Sequence, residues 1–267
     1  MFSVVFFKRE LVMNLLSPLA FGILLFTMNT PFALADKYDD ALNSQLRQAS
    51  DKSRDTLREP AKVLRAIDIE PGMTILDVMA GDGYYSALLA SLVGEEGKVF
   101  IQNPSVLYTD YYPQLVRIVE GRVTANPLKN TQQFNSEIIQ LALNDASLDM
   151  IFMHLVYHDL FWIYPDQAEI FDREMARVLK PGGRLVIIDH RAQDGTGTQH
   201  ALTRDNSIHR IDENYVTAAM NKVGLKLIRS FEFLNNPDDD RTQMFNSETL
   251  QGKKTDRFFH IYQKPLP

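Results

Sequence analysis

The sequence predicts an α/β fold, a doubly wound and mostly parallel sheet, and three observations carry that reading. Apolar strand-like runs alternate with segments of helical spacing from about residue 70 onward. The run Thr74–Val78 breaks into the turn Gly81-Asp82-Gly83, which opens a helix; open sheets hold ligands at such turns, on backbone N–H groups left free by the helix start. The last two strand candidates have no helix between them, so the final strand is expected to enter antiparallel.

The first 35 residues are set apart from the fold. Lys8 and Arg9 precede an apolar stretch from Leu11 to Phe26, and Ala33-Leu34-Ala35 follows. A basic start, a short apolar core and a small-x-small site read as a signal peptide cut after Ala35. The core contains Asn14, Ser17, Pro18 and Gly22 and falls short of the roughly 20 apolar residues of a spanning helix. No stable membrane insertion is therefore expected after cleavage, and the expected location is periplasmic or secreted. A start at Met13 would preserve both the core and the cleavage site. The chain has no cysteine, which excludes disulfides, a lipoprotein anchor and cysteine metal clusters. Its formal charge of -6 becomes -7 without Lys8, Arg9 and Glu10. That balance argues against a nucleic-acid partner, which needs a basic face; a small-molecule substrate is expected instead.

Residues 36–267 are expected to form one domain. Residues 36–66 are an N-terminal helical extension, with Leu42, Leu46 and Leu57 in helical spacing and Pro60 interrupting. Thr74–Val78 and Lys98–Ile101 are strands on either side of a helix from Tyr84 to Val93, stopped by Gly94. A helix is expected over Pro113–Glu120, then a short strand near Arg122–Ala125 and a pairing segment around Ile138–Leu141. The strand Leu148–His154 leads to a helix from Pro165 to Leu179, and Pro181-Gly182-Gly183 turns into the strand Arg184–Asp189. A helix from about Asp212 to Val223 precedes the strand Leu225–Phe233. A polar excursion over 235–256 reaches the last strand, Arg257–Gln263.

Three segments in this order carry a family likeness: Ile75-Leu-Asp-Val-Met-Ala-Gly-Asp-Gly83, Asp145-Ala-Ser-Leu-Asp-Met-Ile-Phe152 and Arg173-Glu-Met-Ala-Arg-Val-Leu-Lys-Pro-Gly-Gly-Arg-Leu-Val-Ile-Ile-Asp189. Together they resemble class I S-adenosylmethionine-dependent methyltransferases over roughly residues 60–233. The resemblance implies a Rossmann-like methyltransferase fold, a seven-stranded sheet with a reversed last strand, S-adenosylmethionine as cofactor and methyl transfer to a small molecule. More narrowly, Asp55-Thr-Leu-Arg-Glu-Pro60, Gln102-Asn-Pro104, His209-Arg-Ile-Asp212 and Gly252-Lys-Lys-Thr-Asp-Arg-Phe258 resemble a group of predicted exported methyltransferases of Gram-negative bacteria. Carried over by position, Asp77, Gly81, Asp82 and Gly83 would line the methionine end of the cofactor. Asn103 falls where an acid usually grips the ribose, Met79 where glycine is usual, and Asp145 completes the cofactor set. Gly81-x-Gly83-x-x-Ser86 also approaches the dinucleotide fingerprint, but Asn103 replaces the acid expected about 20 residues on.

Methyl transfer needs a positioned base on the loops at the carboxyl ends of the strands. His154-Leu-Val-Tyr-His158-Asp159, Asp189-His190-Arg191 and His209-Arg210 supply the candidates. His158 is the first expected base, with Asp159 beside it, and His190 the second; Tyr157 and Trp162 would form an aromatic wall. No metal is expected, because Leu155 stands where the zinc-protease pattern needs Glu. Arg54 and Arg58 share a helical face and would either hold an anion over the pocket or pair with surface acids. Tyr108, Tyr111 and Tyr112 would roof the cofactor or pack a helix. Asp238-Asp-Asp240 reads as a solvated loop. The alternative function is a non-catalytic periplasmic small-ligand-binding module, motivated by export away from where the cofactor is made.

Overall fold

The computed structural model describes residues 36–205, 207–250 and 252–267; the expected export segment, 1–35, lies outside them. Seven strands form the sheet: β1 (Thr74–Val78), β2 (Lys98–Gln102), β3 (Thr131–Phe134), β4 (Leu148–His154), β5 (Leu179–His190), β6 (Lys226–Phe231) and β7 (Arg257–Gln263). Their order is β3-β2-β1-β4-β5-β7-β6. Neighbours from β3 to β5 pair parallel, whereas β7 runs antiparallel to both β5 and β6. The doubly wound sheet with a reversed last strand is therefore as expected.

The period-two alternation of each strand explains why the central runs are apolar throughout. Ile75, Met150, Phe152, Val186, Ile188, Phe259 and Ile261 share one core. Their strand neighbours Leu76, Val78, Ile151, Met153, Leu185, Ile187 and Phe258 belong to the other. Helices cover the first face: α1 (Lys37–Asn43), α2 (Ala49–Lys52), α3 (Asp55–Arg58), α4 (Pro60–Ala66) and α5 (Tyr84–Val93) precede β2. All of α5 but Ser91 is buried, because it lies between the sheet and the first helices; that is why it is apolar on every side. After β2 come a π-helical turn, Leu107–Tyr111, and then α6 (Leu115–Ala125), α7 (Leu160–Ile163), α8 (Ala168–Val178) and α9 (Glu213–Lys222).

Several expectations are corrected. Residues 122–125 are the last turn of α6 rather than a strand, since burial of Val119 and Arg122 on one helical face outweighs the β-branched Val123-Thr124 pair. Residues 138–141 are turn, with Ile138 and Leu141 buried but unpaired in the sheet. The edge strand is instead the polar Thr131–Phe134. The N-terminal extension is four short helices, broken at Ser44, Ser53 and Glu59, the last at φ 46° just before Pro60. No helix among the described residues is long and apolar enough to cross a membrane.

Candidate functional site

A cavity of about 870 Å³ opens at the carboxyl ends of β1, β4 and β5, where the topology of an open sheet puts its ligands. One wall is the β1 turn. Met79 and Gly81 both take left-handed backbone, at φ 47° and 59°. The end of β2 laces the turn in place. Met79 N–H donates to Gln102 Oε1 at 3.0 Å and Ala80 N–H to the Gln102 carbonyl at 2.9 Å. Gly81 N–H donates to Asn103 Oδ1 at 2.9 Å, and Asn103 Nδ2 returns a bond to the Gly81 carbonyl at 3.0 Å. Asn103 Nδ2 also meets Tyr108 Oη at 3.0 Å. Asn103 is fully buried and does not line the cavity; its carboxamide fastens the turn rather than facing a ligand. Gly83 caps α5 at φ 83°, with Arg122 close behind it.

Asp77, at the end of β1, is 3% exposed and has no cationic partner within ion-pair distance among the described residues; Ser86 Oγ donates to it at 2.6 Å. Burial pushes its carboxyl up to about 7, while the Ser86 bond and the Arg58 charge pull the other way. A buried acid poised in this way is complementary to a cationic ligand group. A Cβ on Gly81 would meet nothing within 4 Å, so open space lies above that backbone. The two features fit the sulfonium and ammonium end of S-adenosylmethionine.

Over this wall lies the segment that carries α2 and α3. Arg54 donates to both Asp82 oxygens at 3.2 and 2.7 Å and to Asp51 at 2.8 Å. Asp51, fully buried, also takes both terminal nitrogens of Arg122 at 2.9 and 2.6 Å. Arg54 is thus the arginine that pairs with acids. Arg58, on the same helical face, has no ion pair among the described residues, lines the cavity and stacks on the Tyr84 ring at 4.6 Å. Among the described residues the side chain of Arg257, 6% exposed, binds only Thr255 Oγ1 and the Leu57 carbonyl, and it likewise faces the cavity. Near them His154 lies against Tyr85, ring centroids 4.7 Å apart, with both ring nitrogens buried and without partners. Burial and the charges of Arg58 and Arg257 hold His154 well below the usual imidazole range.

The opposite wall is built from histidines. His158 Nδ1 donates to Asp189 Oδ1 at 2.7 Å, and its backbone N–H donates to Asp189 Oδ2 at 2.8 Å. Its Nε2 stands 3.2 Å from Asp159 Oδ1. Burial pulls the ring down, but the Asp159 and Asp189 carboxylates outweigh it and push the pKa up to about 10. A ring held in this way keeps its proton at neutral pH, which corrects the expectation of His158 as the free base. His190 differs: Thr255 Oγ1 holds its Nδ1 at 2.6 Å, no hydrogen bond among the described residues engages Nε2, and Phe245 stacks on the ring at 5.1 Å. Burial, with the charge of Arg257, keeps it well below the usual range, so it is neutral.

Other expected residues divide. Asp145 sits at the amino end of β4, where it is 78% exposed and pairs with Arg177 at 2.6 Å. That is the end of the sheet opposite the cavity, so it is not a cofactor residue. Tyr157 is fully buried and donates to Asp172, so it forms no cavity wall. Tyr112 lines the cavity, whereas Tyr111 packs on Trp162. Within the expected solvated loop, Asp239 is buried and pairs with the fully buried Arg210 at 2.9 Å. The sequence reading quoted the segments that contain Asp189 and Arg257 but gave neither residue a role; the polar end of an otherwise apolar strand was the available signal for both.

Residues 69–249 match the family model described as a methyltransferase domain. The demethylmenaquinone methyltransferase of Bacillus mycoides is 27% identical over 156 residues, 58% of this chain and 58% of that protein. The chain thus spans less than two thirds of the length of that relative. Among solved structures, a SAM-dependent methyltransferase from Aquifex aeolicus is 26% identical, with a TM-score of 0.57 over 79% of this chain and 93% of that one. A second, from Methanosarcina mazei, shares the fold at 20% identity and a TM-score of 0.52, over 77% and 98% of the two chains. By the family match the chain belongs to the methyltransferase domain family, the S-adenosylmethionine-dependent enzymes built on this sheet.

Proposed function

We propose that the protein is exported and transfers the methyl group of S-adenosylmethionine to a small acceptor that carries a negative charge. One observation supports the acceptor class above the others: among the described residues, Arg58 and Arg257 face the cavity without carboxylate partners, next to a neutral His154 with both nitrogens unpaired. Uncompensated buried guanidinium groups are costly, and an anion between them offsets the cost. The bound cofactor supplies an electrophilic methyl carried on a sulfonium. Asp77 and the turn from Met79 to Gly83 hold its cationic end, with Asp82 kept in place by Arg54. His190, neutral and open at Nε2, takes the proton from the acceptor. Export rests on the basic start, apolar core and Ala-x-Ala site of residues 1–35.

The test separates the two ligands. Calorimetry should give saturable S-adenosylmethionine binding to the wild type and an affinity changed less than threefold in Arg257→Met. Acceptor screening among small carboxylates and phosphates should give a KM that rises about tenfold or more in the same variant, the scale of one lost charged hydrogen bond. Equal loss of cofactor affinity would reassign the arginines to the cofactor carboxylate. Binding of an anionic small molecule with no cofactor binding at millimolar ligand would instead support the non-catalytic binding module.

A further inference from the structure

The methyl-transfer reading leaves His158, Asp159 and His209 without a task, yet each directs one ligand-type atom to a common point. These atoms lie within 4.8 Å of one another, although His209 is 50 residues away in sequence. The surrounding hydrogen bonds decide which nitrogens carry protons. His209 Nε2 lies 2.7 Å from the Arg204 carbonyl, which can only accept, so Nε2 carries the proton and donates. Its Nδ1 faces Asp159 Oδ1 at 3.1 Å. His158 repeats the pattern through its other nitrogen. Its Nδ1–H is taken by Asp189 at 2.7 Å, and its Nε2 faces the same Asp159 oxygen at 3.2 Å.

In the ion-free protein the protonated His158 donates from Nε2 to this oxygen, and a metal cation would displace that proton. The spacing of the three groups carries the case for the cation. Zinc bonds of about 2.0 Å in tetrahedral array imply ligand–ligand edges of about 3.3 Å; the two edges to Asp159 are 3.1 and 3.2 Å and the edge between the rings lies within 4.8 Å, so a small approach of the two rings closes the site on an ion. Behind each ligand is the partner that metal sites use to fix tautomer and orientation. A carboxylate stands behind His158, a backbone carbonyl behind His209, and the Trp162 indole N–H donates to Asp159 Oδ1 at 2.7 Å. Asp159 Oδ2 makes no hydrogen bond among the described residues.

We propose that His158, Asp159 and His209 bind one divalent transition-metal cation, with zinc as the best-suited ion, at the cavity wall. Two imidazoles and one carboxylate suit zinc and its first-row neighbours rather than magnesium or calcium, and three protein ligands leave a position open. His158 and Asp159 line the cavity, so the open position faces the acceptor space, and Phe245 covers His209 at 5.9 Å between ring centroids. An ion there acidifies a hydroxyl or enol placed on it. Asp189 is the positioning residue. The site stands whether or not the acceptor is anionic.

The test uses tag-free, chelator-stripped full-length protein and metal salts alone, without cofactor or acceptor. Zinc chloride titrated in a calorimeter should give one ion per chain, and thermal unfolding should move to higher temperature with zinc and back with chelator. Cobalt chloride should develop visible d–d bands of low-symmetry, nitrogen-ligated Co(II). His209→Gln should abolish the bands, and Asp189→Asn should weaken binding by roughly 10–100-fold. No saturable zinc or cobalt binding by the wild type at millimolar metal would overturn the site. So would cobalt bands unchanged in a folded His209→Gln protein. The wild-type titration alone decides the matter if that variant does not fold.

Discussion

The two walls of the cavity are made in different ways. The β1 wall is contiguous in sequence: Asp77, Met79, Gly81 and Asp82 lie within six positions, and its backbone amides are held by the Gln102 carbonyl and by the side chains of Gln102 and Asn103 at the end of β2. The histidine wall is assembled from the ends of β4 and β5 and from the loop before α9, and side chains hold it together through buried carboxylates. A wall of backbone and glycine can serve a ligand shared by many relatives, because every residue type supplies the same amides. A wall of side chains is specific to one chain. The proposed function accordingly assigns cofactor recognition to the first and proton transfer from the acceptor to the second.

Damage to the β1 wall should come first through stability. Asp51→Ala removes the one carboxylate that pairs with Arg122 among the described residues and frees Arg54 on one side. It should cost about 3–5 kcal/mol, the scale of a broken buried ion pair, as measured by urea denaturation. A loss below about 1 kcal/mol would mean that the overlying segment docks without its charges.

A pH effect should follow from Asp77. Its folded pKa of about 7 lies above the unfolded value of 3.8. The stability it contributes is therefore full below the unfolded value and lost as pH rises through 7. Affinity for the cationic cofactor runs in the opposite sense, rising by up to about tenfold per pH unit below 7 and levelling above it. Asp77→Asn should flatten both profiles, as read by denaturation and calorimetry from pH 5 to 9. Unchanged profiles would place the titrating group elsewhere.

A smaller effect is expected at Asn103. Asn103→Ala leaves the Gly81 amide and carbonyl short of partners and should cost about 1–3 kcal/mol, with cofactor affinity falling alongside. If stability falls but affinity does not, the turn is held well enough by Gln102 alone. The smallest effect is expected outside both walls. Asp145→Ala removes an exposed pair with Arg177 and should change stability by less than about 1 kcal/mol, with cofactor affinity unaltered. A clear loss of affinity would return Asp145 to the cofactor site.

This division also governs how much the sequence disclosed. The glycine turn, the apolar strands and the Leu179-Lys-Pro-Gly-Gly183 segment act through local geometry, so spacing alone located the fold and the β1 wall. Asn103 could be placed at the end of β2, yet not the direction of its carboxamide, which depends on where Gly81 and Tyr108 lie in space. His158 was legible as a site residue, while its held proton follows from Asp189, 31 positions away. Asp145 misled because the motif marks the start of β4, and the start and end of a strand lie on opposite edges of the sheet. The edge strand Thr131–Phe134 escaped notice because an edge position does not demand apolar residues on both faces.

The way α5 and the segment above it are held sets a further property, the rate at which ligands come and go. The cavity floor rests on a helix buried on every side and is cemented by apolar contact, which added salt does not loosen. The overlying segment is made of short helices fastened by the buried Asp51–Arg122 pair, which salt screens little, and by Arg54 to Asp82 across partly exposed groups, an attachment that ions in solution screen within a Debye length of about 8 Å at physiological strength. Salinity thus acts on one surface of the cavity and spares the other. In a compartment whose salt follows the outside medium, exchange kinetics would track the surroundings while the architecture beneath stayed constant.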